Sequence, residues 1–189
     1  MIGEIIFPDG SFNNAPPWTG LISFEKDPEL RIAGARAHNR WLAEFCAKLP
    51  QRRAGLALIE IDDIENAVQE IKTAKDSGLR GGILIPGLTS DLPGYNHPRY
   101  EPIWATCEEL GMPVHTHGGA TPGFDGLPSS LAIFVTETSW YSHRPFWFLL
   151  WSGVFERHPQ LTFVLTEQSA CWIPDTLYHL DQRYDSPMF

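Results

Sequence analysis

Hydrophobic residues along the chain form two alternating patterns, short continuous apolar runs and longer stretches with helical spacing. The short runs predict five β-strands, at residues 4–8, 54–61, 81–86, 112–117 and 161–167. The stretches with helical spacing predict five helices, at residues 27–48, 63–78, 98–111, 144–159 and 172–185. A long loop is predicted from residue 118 to about residue 141.

Local signals place the helix ends. Asp27 is predicted to cap the first helix with Pro28 in its first turn, and Asp63 to cap the second. Gly78 and Gly111 are typical helix stops. The predicted buried stripe of the first helix consists of Leu30, Ala33, Ala37, Trp41 and Phe45.

Strands that alternate with helices predict a parallel α/β sheet, because parallel neighbours need a crossover. Two architectures satisfy this pattern. A doubly wound open sheet closes with five strands, whereas a (β/α) barrel of the TIM type needs about 250 residues and eight units. By strand count alone the open sheet is favoured.

Composition narrows the class of protein. The net charge of −9 disfavours a nucleic-acid partner, and the longest apolar run is shorter than the ~20 residues of a membrane span. The three cysteines are odd in number and widely spaced, which indicates a reducing compartment rather than a disulfide framework. We therefore expect a soluble cytoplasmic protein that acts on a small molecule.

Two histidines lie at the end of the fourth predicted strand. His115 and His117 point to the same face because side chains alternate along a strand, and two glycines follow them. Neutral imidazoles at the carboxyl end of a parallel strand suit zinc, iron or manganese. The alternative is a chance pair of histidines near a turn, and His117, which is nearer the rim, is the stronger candidate.

Glu167 ends the fifth predicted strand at the same rim. A carboxylate there can bind metal, act as a general base or orient a histidine. It can also cap the following helix, and the two roles are compatible. Motifs for dinucleotide binding, for P-loop nucleotide binding and for a serine nucleophile elbow are absent from the sequence.

Several longer motifs, in their order along the chain, resemble the amidohydrolase-2 family, the branch related to aminocarboxymuconate-semialdehyde decarboxylase. These are N-R-W-L at 39–42, P-R-Y-x-P-x-W at 98–104, P-V-H-x-H at 113–117 and G-V-F-E-R-x-P-x-L at 153–161. The resemblance implies a partial TIM-type barrel with about five parallel strands in sequential order, in place of the open sheet.

The resemblance also implies one divalent metal, usually zinc, and either hydrolysis or non-oxidative decarboxylation of a small carboxylated or ring-containing substrate. His117 matches the family's metal-binding histidine, and Glu167 stands where the family commonly has a proton-transferring histidine. His115 is the neighbouring catalytic candidate.

Three further residues are candidates for binding the substrate: Asp91, Trp140 and His143. The histidine strand and the aspartate strand that supply other metal ligands in the family have no counterpart here. We therefore expect residues 1–189 to be one incomplete barrel domain that lacks the first and last strands. Assembly with further copies into a homo-oligomer is a further expectation. Two other hypotheses stay open: a catalytically inactive barrel scaffold, and an open sheet that binds a small anion.

Overall fold

The computed structural model describes residues 2–8, 27–87, 92–117 and 127–186. The strands are β1 Glu4–Ile6, β2 Arg53–Leu58, β3 Gly82–Leu84, β4 Val114–His117 and β5 Phe163–Thr166. The helices are α1 Pro28–Ala47, α2 Ile64–Asp76, α3 Glu101–Leu110, α4 Ser130–Trp151, α5 Val154–Arg157 and α6 Ile173–Tyr184, and a 3₁₀ turn Pro98–Tyr100 precedes α3.

The five strands form one parallel sheet in the order β1-β2-β3-β4-β5. A doubly wound sheet would reverse its strand order, and this sheet does not. The sequential order is that of a barrel arc, which confirms the fold class implied by the family resemblance. All carboxyl ends of the strands therefore lie along one rim.

The main core lies between the sheet and helices α1, α2 and α3. Ile83 and Val114 of the sheet are fully buried there, with Leu42 and Ile71 from the helices. The helix caps are as predicted: the side chains of Asp27 and Asp63 accept backbone N–H groups of the first turns, and Gly111 has a left-handed conformation.

The buried face of α1 differs from the predicted stripe. Trp41 and Leu30 are about half exposed, and the helix instead buries a narrower face. That face consists of Gly34, Ala35, Asn39, Leu42, Ala43 and Cys46. Small residues let the helix axis approach β2 closely, and a polar residue in the middle of the face meets the strand backbone. An apolar count cannot detect either feature.

The loop predicted between β4 and the next helix is shorter than expected, because α4 begins at Ser130 rather than near residue 144. The first turns of α4 carry exposed apolar side chains, including Leu131 and Val135. They therefore lack the amphipathic pattern from which helices were predicted. Among the described residues, no helix is both long enough and apolar enough to cross a membrane. The assignment of residues 1–189 to one incomplete domain stays a prediction.

Candidate active site

The carboxyl ends of β4 and β5 bring His117 and Glu167 together. His117 pairs in register with Thr166, so the residue after β5 lies beside the last residue of β4. The Nε2 atom of His117 is 3.3 Å from the Oε2 atom of Glu167. The two residues that the sequence placed at one rim are therefore in direct contact, and their catalytic roles stay a prediction.

The His117–Glu167 pair opens toward solvent. The side chain of His117 is 25% exposed and that of Glu167 is 75% exposed. A histidine–carboxylate contact this exposed contributes little to stability, because even an exposed ion pair typically contributes only ~0–1 kcal/mol. Because the His117–Glu167 contact adds little to the stability of the fold and faces solvent at the rim, a catalytic role is compatible with it.

His115 lies deeper on the same face of β4. Its ring is buried, and the Nε2 atom is 2.9 Å from the carbonyl oxygen of Gly81. Burial lowers the pKa of His115, opposed by the Gly81 hydrogen bond, so the ring is neutral and donates through Nε2. Its Nδ1 atom has no hydrogen-bond partner among the described residues. The catalytic role of His115 stays a prediction.

Phe7 forms an aromatic wall beside both histidines and is a site residue that was not predicted from the sequence. It follows β1, yet its ring centroid lies 5.8 Å from that of His115 and 5.2 Å from that of His117. Phe7 also packs against Leu58 and Leu84. Its position within the first predicted strand, residues 4–8, was the only sequence signal available, because β1 and β4 are not neighbours in the sheet.

The substrate-contact candidates lie in different places. His143 of α4 is buried, stacks on Trp172 at 4.3 Å and meets Trp147 edge-on at 5.6 Å. Burial lowers the pKa of His143. Trp140 is about half exposed, with the guanidinium of Arg144 over its ring at 5.4 Å.

Asp91 lies outside the described residues, and the binding roles of all three candidates stay predictions.

Gln168 follows Glu167 and is a second site residue that was not predicted from the sequence. Its side chain is buried, and its Nε2 atom donates to Oγ1 of Thr116 at 3.1 Å. Thr116 is the residue between the two histidines, so this bond joins the ends of the two strands that carry the site. A polar residue beside a strand end has no sequence pattern that distinguishes it from a surface residue.

The described residues supply an incomplete set of metal ligands. His117 fits as one ligand, since its Nε2 atom faces a carboxylate rather than the backbone. Within residues 2–8, 27–87, 92–117 and 127–186 there is no group of three histidine, cysteine, aspartate or glutamate side chains that could hold an ion. A catalytic zinc site typically uses three protein ligands, so His117 and Glu167 form part of such a set at most.

Comparisons with known proteins identify the family. The sequence model of the family described as Amidohydrolase matches residues 21–186. Gamma-resorcylate decarboxylase from Rhizobium sp. (strain MTP-10005) is 31% identical over 184 residues, which cover 90% of this chain and 53% of that protein. The chain thus spans about half the length of the curated relatives that it matches.

Two solved structures have the same arrangement of strands and helices. The structure of 5-carboxyvanillate decarboxylase from Sphingomonas paucimobilis superposes with a TM-score of 0.69 at 27% identity, covering 84% of this chain and 48% of that one. Dihydroxybenzoic acid decarboxylase from Polaromonas sp. JS666, solved with bound manganese and the inhibitor 2-nitroresorcinol, has a TM-score of 0.59 at 26% identity, covering 72% and 44%.

Proposed function

The chain belongs to the amidohydrolase family, and from this premise we propose that it acts as a metal-dependent decarboxylase of an aromatic carboxylate. The similar proteins named above are decarboxylases of 5-carboxyvanillate, gamma-resorcylate and dihydroxybenzoic acid. Hydrolysis, the other activity expected from the sequence, has no such support among them.

The observation that carries this proposal is the 3.3 Å contact between His117 Nε2 and Glu167 Oε2 at the carboxyl rim. Enzymes with parallel β/α architecture place their chemistry at this end of the strands. A histidine and a carboxylate in contact provide a ligand for a cation and a group that transfers protons.

Decarboxylation of an arene needs a proton on the ring carbon that bears the carboxylate. The bond to the carboxylate then breaks, its electron pair restores the aromatic ring, and carbon dioxide leaves. We assign the proton transfer to Glu167, because its side chain is the more exposed member of the pair and can meet a substrate at the rim. His117 would be a ligand of the metal.

A divalent metal, when bound, would attract the substrate carboxylate and so fix the substrate in place. Zinc is the metal expected from the family resemblance, and manganese is the metal bound in the similar decarboxylase from Polaromonas. His115, on the same strand as His117, would be a neighbouring catalytic residue. Trp140, His143 and Asp91 remain our candidates for contacting the substrate.

A second candidate function is that of an inactive barrel scaffold. The observation that favours it is the absence of a third metal-binding side chain near the His117–Glu167 pair within the described parts of the chain. A scaffold of this kind would be purified without a divalent ion, so metal analysis separates the two proposals.

The proposed compartment remains the cytoplasm. Cys46 and Cys107 are buried and unpaired, and Cys171 is exposed and unpaired. Burial raises the pKa of the Cys107 thiol to about 12, which keeps it protonated and unreactive. Three free thiols suit a reducing environment. Assembly into a homo-oligomer is likewise a proposal.

The experiment is to incubate the full chain with Mn²⁺ or Zn²⁺ and either 2,6-dihydroxybenzoate or 5-carboxyvanillate, and to measure carbon dioxide release. We expect turnover that falls by about 10²–10⁴-fold in Glu167→Gln. In His117→Gln both the bound metal and the activity should be lost. The proposal would be refuted if no carbon dioxide were released with either Mn²⁺ or Zn²⁺.

The matched control is a second histidine–carboxylate pair far from the rim. His179 and Asp175 lie one turn apart on α6, 3.6 Å from each other and both exposed. His179→Gln should leave metal content and turnover unchanged. Equal losses in His179→Gln and His117→Gln would mean that general destabilisation, and not the site, explains the effect.

A further inference from the structure

The turn after β5 has an unusual backbone. Glu167 and Ser169 have φ angles of 55° and 54°, in the left-handed region that favours glycine. For residues with a side chain this conformation costs roughly 1–2 kcal/mol each. Two such residues on either side of Gln168 persist only when surrounding contacts force the turn into this shape.

Gln168 makes the contacts that force it. Gln168 as a whole is only 4% exposed, between a strongly exposed Glu167 and an exposed Ser169. The side-chain Nε2 atom of Gln168 donates to Thr116 Oγ1 at 3.1 Å. The backbone carbonyl oxygen of Gln168 accepts from Trp172 Nε1 at 2.9 Å. The residue is thus held at both its side chain and its backbone.

The position of Thr116 links this anchor to the site. Side chains alternate along β4, so Thr116 points to the face opposite to that of His117. Gln168 likewise turns into the protein while its neighbour Glu167 turns out to the rim. The bond between Gln168 and Thr116 therefore fixes the turn on one face of the sheet and sets Glu167 against His117 on the other.

Glu167 cannot hold this position by itself. A carboxylate that is 75% exposed gains little from one contact with a histidine and loses side-chain entropy by adopting a single rotamer. We propose that Gln168 is a positioning residue, which holds the Glu167 carboxylate against the His117 ring through its bond to Thr116. This inference rests on the proposed function of that pair.

The test removes the bond from either end with nearly isosteric substitutions in the full chain. Gln168→Met deletes the donor, and Thr116→Val deletes the acceptor. The readout is the ring ¹⁵N resonances of His117 at one fixed pH, assigned by their loss in His117→Gln. In Glu167→Gln these resonances move, because the ring loses its carboxylate partner.

We expect both substitutions to move the His117 resonances in the same direction as Glu167→Gln, and the double variant to move them no further than either single one. Thr116→Ser keeps the hydroxyl and should restore the wild-type resonances. The control is Thr106→Val, which deletes another buried hydroxyl, one that donates to the Pro102 carbonyl at 2.7 Å, and should leave them unchanged.

Unmoved His117 resonances in Gln168→Met and Thr116→Val would overturn the inference, and so would unmoved resonances in Glu167→Gln. The proposed function fails by a different result, the absence of carbon dioxide release. Where turnover is measured, Gln168→Met should lower kcat on the order of 10-fold with little change in KM, since misplacing a catalytic group slows chemistry more than binding.

Discussion

Replacing Asn39 with leucine should test how α1 is fixed to the sheet. Pairing between β1 and β2 ends at Gly55, so among the described residues the backbone of Leu58 has no strand partner on that side. The Asn39 amide takes the place of a strand: Nδ2 donates to the Leu58 carbonyl at 3.0 Å, and Oδ1 accepts from the Leu58 N–H at 2.8 Å. Nδ2 also donates to Glu70 at 2.9 Å.

The expected loss of stability follows from these bonds. Asn39 and Leu58 are both buried, and each buried polar group left without a partner costs about 1–3 kcal/mol. The two Leu58 backbone groups together therefore cost about 2–6 kcal/mol, of which the added apolar surface of leucine recovers about 1 kcal/mol. Glu70 keeps Arg36 as a partner at 3.2 Å. We expect a net loss of about 3 kcal/mol, a large part of a typical stability of ~5–15 kcal/mol.

Urea unfolding of the wild type and Asn39→Leu measures this loss directly, and thermal unfolding should show a Tm lower by roughly 6–12 °C. Asn66→Leu is the control: Asn66 is only half-buried and accepts one bond, from Arg36, so its loss should stay below about 1 kcal/mol. A loss below about 1 kcal/mol in Asn39→Leu at an unchanged m-value would refute the reasoning.

Three further predictions concern stability. Arg157, with other partners, lowers the pKa of Glu101 to about 2. The stabilisation by the charged Glu101 is therefore fully present above the unfolded pKa near 4.5 and is lost as the pH falls toward 2. When Tm is measured from pH 7 to 2.5, Glu101→Gln should show a smaller decrease of Tm at low pH than the wild type. Gly82→Ala should cost about 3 kcal/mol or more in urea unfolding, because φ is 112° and a Cβ would lie 2.1 Å from the Pro113 carbonyl oxygen. Ser169→Gly should raise stability by about 1 kcal/mol by relieving its left-handed φ, whereas Ser169→Ala should not.

The part of the site that could be predicted is the part with a periodic signal. His117 and Glu167 end apolar runs, and parallel strands bring such ends to one rim, so their location at the same rim follows from the strand positions. Gln168 and Phe7 could not be found in this way. Each acts through a neighbour that is distant in sequence, Thr116 for the first and the two histidines for the second.

The sequence by itself determined the succession of strands and helices, their caps at Asp27 and Asp63, and the end of the sheet at which polar residues collect, since each of these depends on neighbours within a few positions. The sequential strand order, which strand count alone did not give, was implied by the family resemblance and confirmed by the sheet. Only the tertiary structure decided that α1 turns Asn39 rather than Trp41 inward, and that the Gln168 side chain bonds to Thr116. Those outcomes depend on which backbone and side-chain polar groups meet across the core. Residues far apart in the chain must form hydrogen bonds with one another there, because buried polar groups need partners.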